Sequence, residues 1–228
     1  MTFFDLAAAV VFATTGALVA SRKEMDFLGL LWLGAITGVG GGTVRDLLLG
    51  LPVFWVSDPT PIALCLCAAG AVHFTAHLVA SRYRVLLWLD AFGMALVTVA
   101  GTAKATDSGA TTLIAIVMGV VTASVGGIIR DILGQEASIV MRREIYVTAS
   151  AIGATLFVTA QSVGASLPVA MVLGAGAAFA IRGFAISLEW SLPVYRPRPG
   201  RKPENYSGEL KGSGLLPQVT PNSGHARA

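Results

Sequence analysis

The sequence predicts an all-α integral membrane protein: seven transmembrane helices, built as an inverted repeat of three plus three helices with an extra seventh. Three observations lead there. The chain of 228 residues is 54% hydrophobic and only 13% charged, whereas a soluble domain carries about 25% charged residues. Several apolar runs reach the ~20 residues that cross a bilayer, and mean hydropathy is +0.72. Finally, one motif occurs twice, 85 residues apart: Gly41-Gly42-Thr43-Val44-Arg45-Asp46 and Gly126-Gly127-Ile128-Ile129-Arg130-Asp131. The same offset relates Asp5 to Asp90, Gly16 to Gly101, Gly34 to Gly119 and Thr37 to Thr122. If each copy crosses the membrane three times, the second copy must point the opposite way, an arrangement known in transport proteins.

The first predicted helix covers residues 4–21 and ends at Arg22-Lys23-Glu24. No basic segment or cleavage site precedes it, so it reads as a span and not a removed signal. The second covers 27–48, closed by Leu51-Pro52 and Asp58-Pro59-Thr60-Pro61. The third, 60–80, runs to Arg82 and Arg84. The fourth covers 85–103, and Asp107-Ser108-Gly109 separates it from the fifth, 110–134. Arg142-Arg143-Glu144 leads into the sixth, 144–162. Pro168 starts the seventh, 166–189, where its missing amide donor costs least. The units are therefore 1–84, 85–163, the seventh helix within 164–192, and a tail over 193–228. The tail is rich in Pro, Gly, Ser and basic residues, the composition of a disordered segment.

The formal charge is +3. The basic residues lie in loops and tail, so they set membrane orientation and not nucleic-acid binding. Arg22, Lys23, Arg82, Arg84, Arg142, Arg143 and the tail's Arg196, Arg198, Arg201 and Lys202 fall on one side of a seven-helix arrangement. That side is cytoplasmic, which puts the C-terminus in the cytoplasm and the N-terminus outside an inner membrane.

Gly38-Val39-Gly40-Gly41-Gly42 places four glycines in five residues of the second helix. Each costs about 1 kcal/mol against alanine. The expected result is a kink or unwound turn facing a pathway; the alternative is close helix packing. Ser124-Val125-Gly126-Gly127 is the weaker version in the fifth helix. Gly-Lys-Ser/Thr is absent, so no nucleotide site is read.

Arg45-Asp46 and Arg130-Asp131 sit in apolar runs, where charges pair and face the interior or water. By depth, Asp5 matches Arg45 and Asp90 matches Arg130, giving one ion-pair cluster at each mouth of a pathway. Exchanging the charges of Asp5 and Arg45 then restores what either single change loses. Snorkelling to the headgroups is the alternative. Thr37, Thr43, Thr122 and Ser124 are candidate pore hydroxyls, with bonds to their own backbone as the competing use. Lys104 reads as a boundary marker. His73 and His77 share a helix face without a carboxylate or usable thiol, and no metal site is read. Cys65 and Cys67, two apart on a helix, read as plain thiols. Trp32, Trp55, Trp88 and Trp190 read as interfacial or packing aromatics. No catalytic constellation and no cofactor is read.

The paired Gly-Gly-x-x-Arg-Asp motifs, the inverted repeat and the seventh helix together resemble the prokaryotic trimeric intracellular cation (TRIC) channels, over about residues 1–190. The resemblance implies a homotrimer with a separate hydrated pore per protomer, bordered by the second and fifth helices. It implies monovalent cations as the permeant species, potassium before sodium, and membrane lipids as neighbours, some of them bound. The pore-side residues it implies are Gly40, Gly41, Gly42, Arg45, Asp46, Gly126, Gly127, Arg130 and Asp131. Animal relatives carry Lys-Glu-Gly in the fourth helix; here Lys104 is followed by Ala105-Thr106. Secondary transport of a small zwitterion such as glycine is the competing function, since an Arg–Asp pair complements a carboxylate and an ammonium. A scaffold whose charges only hold helices together is the third.

Overall fold

The structure, a computed structural model, describes residues 3–78, 82–136 and 145–188. These form α1 (Phe3–Arg22), α2 (Phe27–Leu48), a short α3 (Phe54–Ser57) and α4 (Thr60–Thr75), which continues as a 3-10 turn over Ala76–Leu78. Then come α5 (Arg82–Asp107), α6 (Thr112–Leu133), α7 (Val147–Ser162) and α8 (Leu167–Ser187). Six segments are long and apolar enough to cross a membrane: α1, α2, α4 with its 3-10 turn, α5 from Tyr83, α6 and α8. The sixth predicted helix is shorter than expected among the described residues, 16 long as α7. Arg142, Arg143, Glu144, Trp190 and the tail from Pro193 lie outside the described residues. Nothing in the residue pattern marks α3, which occupies the link after Pro52.

Local chemistry starts and stops these helices. Asp26 caps α2, its carboxylate accepting from the Gly29 amide at 2.7 Å, a contact worth about 1 kcal/mol. Both Arg-Asp motifs end their helices with the same cap. The Leu51 amide donates to the Asp46 carbonyl at 2.8 Å, and the Glu136 amide to the Asp131 carbonyl at 2.9 Å. The residue before each donor has positive φ: Gly50 at 67° and Gln135 at 50°. Glycine is the usual residue there, so the second copy carries a side chain where the first has none.

The helices pack in two matching sets. α1, α2 and α4 contact one another, and so do α5, α6 and α7. The sets meet through α1 against α5 and α2 against α6, while α8 lies on α5 and α7. Outer faces are apolar: Leu28, Trp32, Leu113, Val172 and Phe184 are exposed. In a bilayer that exposure costs nothing, because lipid tails are as apolar as leucine.

The glycine-rich stretches do not unwind. α2 stays α-helical through Gly38–Gly42, and α6 through Gly126 and Gly127. Their use is contact. A Cβ on Gly41 would overlap the Thr122 carbonyl oxygen, and one on Gly126 would stand 3.0 Å from the Thr37 carbonyl oxygen. One on Gly38 would meet the Ala9 carbonyl oxygen at 2.7 Å. So α2 and α6 cross backbone to backbone, reciprocally, at equivalent positions of the two repeats. Hydrocarbon explains why the helices stay intact: it offers freed amides no other partner.

The hydroxyls turn to their own helices. Thr37 donates to the Leu33 carbonyl (2.6 Å), Thr43 to Val39 (2.7 Å), Thr122 to Met118 (2.5 Å) and Ser124 to Val120 (2.8 Å). His73 stacks edge-on against Phe27 and Phe74, with ring centroids 5.0 and 5.1 Å away. Cys65 is buried and Cys67 exposed, both free thiols. Trp88 packs on Phe179 at 6.0 Å.

Candidate permeation site: two charge networks about a helix crossing

The first network joins α1, α2 and α5. Arg45 donates through Nε to Asp46 Oδ1 at 2.9 Å and through Nη1 to Asp5 Oδ1 at 3.0 Å. Lys104 Nζ reaches the same Asp46 oxygen at 2.8 Å. Arg45 is 2% exposed and Asp46 not at all, so these charges pair inside the bundle and do not snorkel. Lys104 is more than a boundary marker. α5 runs on to Asp107, past the predicted end at residue 103, which keeps Lys104 on a helical face that reaches Asp46. The other Asp46 oxygen accepts from the Phe54 amide at 3.0 Å, and this bond seats α3. The Phe54 ring then lies 5.9 Å from both Arg45 Cζ and Lys104 Nζ, a range at which a ring face attracts a cation.

The second network repeats this geometry with α5 and α6. Arg130 donates through Nε to Asp131 Oδ1 at 2.9 Å and through Nη1 to Asp90 Oδ1 at 2.7 Å. The planar guanidinium presents donors in a fixed fork, so one arginine holds two carboxylates in both repeats. Nη1 also donates to Thr15 Oγ1 at 3.0 Å. Arg130 is wholly buried and Asp90 1% exposed. Asp90 Oδ2 and Arg130 Nη2 have no hydrogen-bond partner among the described residues. Tyr146 closes this end, its hydroxyl donating to the Ala123 carbonyl at 3.0 Å. Buried Arg182 of α8 lies over the Tyr146 ring, 5.4 Å from its centroid.

A narrow cavity of about 20 Å³ opens beside the crossing, bordered by Asp5, Phe12, Thr37, Gly41, Gly42, Arg45, Phe54, Thr122 and Gly126. It has room for about one water. A wider vestibule of about 450 Å³ lies next to it, with Asp58, Lys104 and Asp107 on its walls. Asp5 and Phe54 border both spaces, so the ring stands where the wide space meets the narrow one. In the link after α3, hydrogen bonds from the Thr60 side chain and then its backbone amide hold the Asp58 carboxyl below its usual range. The vestibule therefore keeps a fixed negative charge.

Of the residues expected at the site, Gly41, Gly42, Arg45, Gly126, Asp5, Thr37 and Thr122 border the cavity. A Cβ on Gly40 would press on Ile129, 2.9 Å away, and the cavity does not use it. Asp46 sits behind Arg45. Gly127, Arg130, Asp131 and Asp90 belong to the second network. Thr43 accepts from Trp55 Nε1 at 2.9 Å instead of facing the cavity, and Ser124 does not border it. Three residues were missed: Phe54, Tyr146 and Arg182. Arg182 had a signal, a lone charge inside an apolar run. Phe54 had none, since it sits just outside the long helices, and Tyr146, within the predicted sixth helix, carries no charge to mark it.

A family profile described as "Glycine transporter" matches residues 2–77 and 87–162. The UPF0126 inner membrane protein YadS of Escherichia coli K12 is 39% identical over 200 residues, spanning 85% of this chain and 95% of its own. A UPF0126 membrane protein of Vibrio cholerae is 38% identical over 196 residues, spanning 84% and 81%. Among solved structures, the TRIC trimeric intracellular cation channel orthologue from Rhodobacter sphaeroides matches with a TM-score of 0.80 at 50% identity, over 82% of this chain and 97% of that one. A structure described for conductance through TRIC cation channels matches with a TM-score of 0.77 at 30% identity, over 88% and 100%. The doubled Arg-Asp networks are thus set in a fold and a sequence shared with these proteins, and the chain belongs to the TRIC channel family.

Proposed function

We propose that the protein is a potassium-preferring monovalent cation channel, with one pore in each protomer of a homotrimer. The pore is bordered by α2 and α6, and α7 completes seven crossings of an inner membrane. The N-terminus is outside and the C-terminus cytoplasmic. One observation carries the reading: the cavity at the α2–α6 crossing is bordered by an arginine, Arg45, that binds two carboxylates, and Arg130 repeats that pairing in the second network. A bare arginine beside the path would repel potassium; one held by two carboxylates narrows the path without that repulsion. The acidic vestibule raises the local cation concentration. The family description favours the second reading, uptake of a zwitterion such as glycine. A cavity with room for about one water does not hold glycine in this conformation.

The deciding measurement is single-channel recording of the reconstituted protein in asymmetric potassium chloride. Discrete openings that reverse near the potassium potential support the channel. A silent bilayer, with saturable glycine uptake into liposomes from the same preparation, replaces it with the transporter. Phe54→Ala opens the junction between vestibule and cavity, and unitary current rises about twofold as the constriction widens. An unchanged current removes Phe54 from the path.

A further inference from the structure

Each charge network needs two cations. In the first, Asp5 and Asp46 are balanced by Arg45 and Lys104. The second contains the equivalent carboxylates, Asp90 and Asp131, and the equivalent arginine, Arg130. The equivalent of Lys104 is missing, because 85 residues before Lys104 stands Val19. Left there, the second network would hold a net negative charge wholly out of water, which is strongly unfavourable.

We propose that Arg182, on the helix outside both repeats, is the missing fourth charge: the counterpart of Lys104, setting the field at the second mouth as Lys104 sets it at the first. Three observations place it there. Arg182 is 1% exposed, and a charge buried in a spanning helix is neutralised by neighbours. Its guanidinium covers Tyr146, whose hydroxyl is anchored to α6 at Ala123. The Tyr146 hydroxyl in turn stands at the network, since a Cβ on Gly127 would lie 3.7 Å from both Asp90 Oδ1 and Arg130 Nη2 and 3.9 Å from that hydroxyl. α8 lies on α5 and α7, so Arg182 reaches the network from outside the pseudo-symmetric core. It is a positioning residue acting on ions through Asp90.

The inference rests on the channel reading, and two measurements keep their failures apart. The first needs no current. Arg182→Gln lowers the melting temperature of the purified protein, because it leaves the network one charge out of balance. Adding Asp90→Asn restores neutrality. That change keeps the oxygen that binds Arg130 and alters the one without a hydrogen-bond partner. The double variant therefore recovers at least half of the loss. A double variant no more stable than the singles overturns the assignment. The second measurement is sided. Arg182→Gln makes the second mouth more negative, so inward and outward currents become unequal by about twofold at low salt, favouring entry at that mouth. Lys104→Gln gives the opposite rectification. Arg182→Lys keeps the wild-type ratio, which guards against a folding defect. Rectification of the same sign in both Gln variants, or none in a conducting Arg182→Gln channel, overturns the role in permeation. A silent wild type removes the channel reading and the permeation role together, while the melting cycle still decides whether Arg182 balances Asp90.

Discussion

Arg130→Met is expected to lower the unfolding free energy by about 3–5 kcal/mol, the largest effect of any single change considered. Arg130 is wholly buried and holds Asp90 and Asp131 through separate nitrogens. Methionine fills much of the volume, yet both carboxylates stay behind with a single remaining counter-charge. Differential scanning fluorimetry in detergent reads the result. The internal control is Arg22→Ala. Arg22 also makes an ion pair, 3.2 Å from Glu136, but its side chain is 29% exposed. Such a pair contributes under about 1 kcal/mol. Equal losses from the two substitutions would contradict the claim that burial decides the cost. The same geometry revises the charge exchange expected from the sequence. Arg45 binds Asp46 as well as Asp5. Arg45→Asp with Asp5→Arg sets two carboxylates side by side on α2, and rescue is at best partial.

Gly41→Ala is expected to cost about 1–3 kcal/mol and to abolish conduction, although alanine is the better helix former. The new methyl overlaps the carbonyl oxygen of Thr122, and backbone cannot turn aside as a side chain can. α2 and α6 must separate, which displaces both networks at once. Gly176→Ala is the matched comparison. Gly176 lies within α8, and nothing stands within 4 Å of its would-be Cβ. There alanine should stabilise by about 0.5–1 kcal/mol. Opposite signs at two helical glycines separate close approach from helix propensity, and melting temperatures with planar-bilayer recordings check both arms. A tolerated, conducting Gly41→Ala would mean that the crossing is looser than described.

The charged half of the site was legible because polarity is conspicuous in hydrocarbon. Asp5, Arg45, Asp90 and Arg130 stand out in apolar runs, and the shared offset of 85 residues says which belong together. Depth along the helices then gave the partners. The unwound turn that the glycines suggested does not form, for a physical reason. Propensity scales measure helices in water, where an unwound amide finds a solvent partner, whereas a bilayer core removes that option. Clustered glycine in α2 therefore marks proximity and not a break. Lys104 was placed too far out because the predicted helix stopped at residue 103. Phe54 was invisible, since its position depends on a hydrogen bond from its own amide to Asp46 eight residues earlier. Only the folded link brings those two together. Arg182 was visible in the sequence, and the repeat arithmetic that drew attention elsewhere is what now gives it a role.

The threonines beside the crossing have a consequence for polarity at the waist. Thr37 and Thr122 have already given their hydroxyl protons to the helix turn behind them. A hydroxyl in that state has no proton to offer and acts only as an acceptor. Beside Asp5 and Arg45, the waist thus carries two neutral groups that nonetheless distinguish the sign of a visitor. A water must turn a hydrogen towards each such oxygen, and its own lone pairs then face the axis. A chloride finds no donor in these two hydroxyls, while a dehydrating cation finds oxygen from them and from the oriented water alike. On the proposed channel reading, part of the discrimination against anions is in this way carried by uncharged residues, and that part survives at ionic strengths that screen the acidic vestibule.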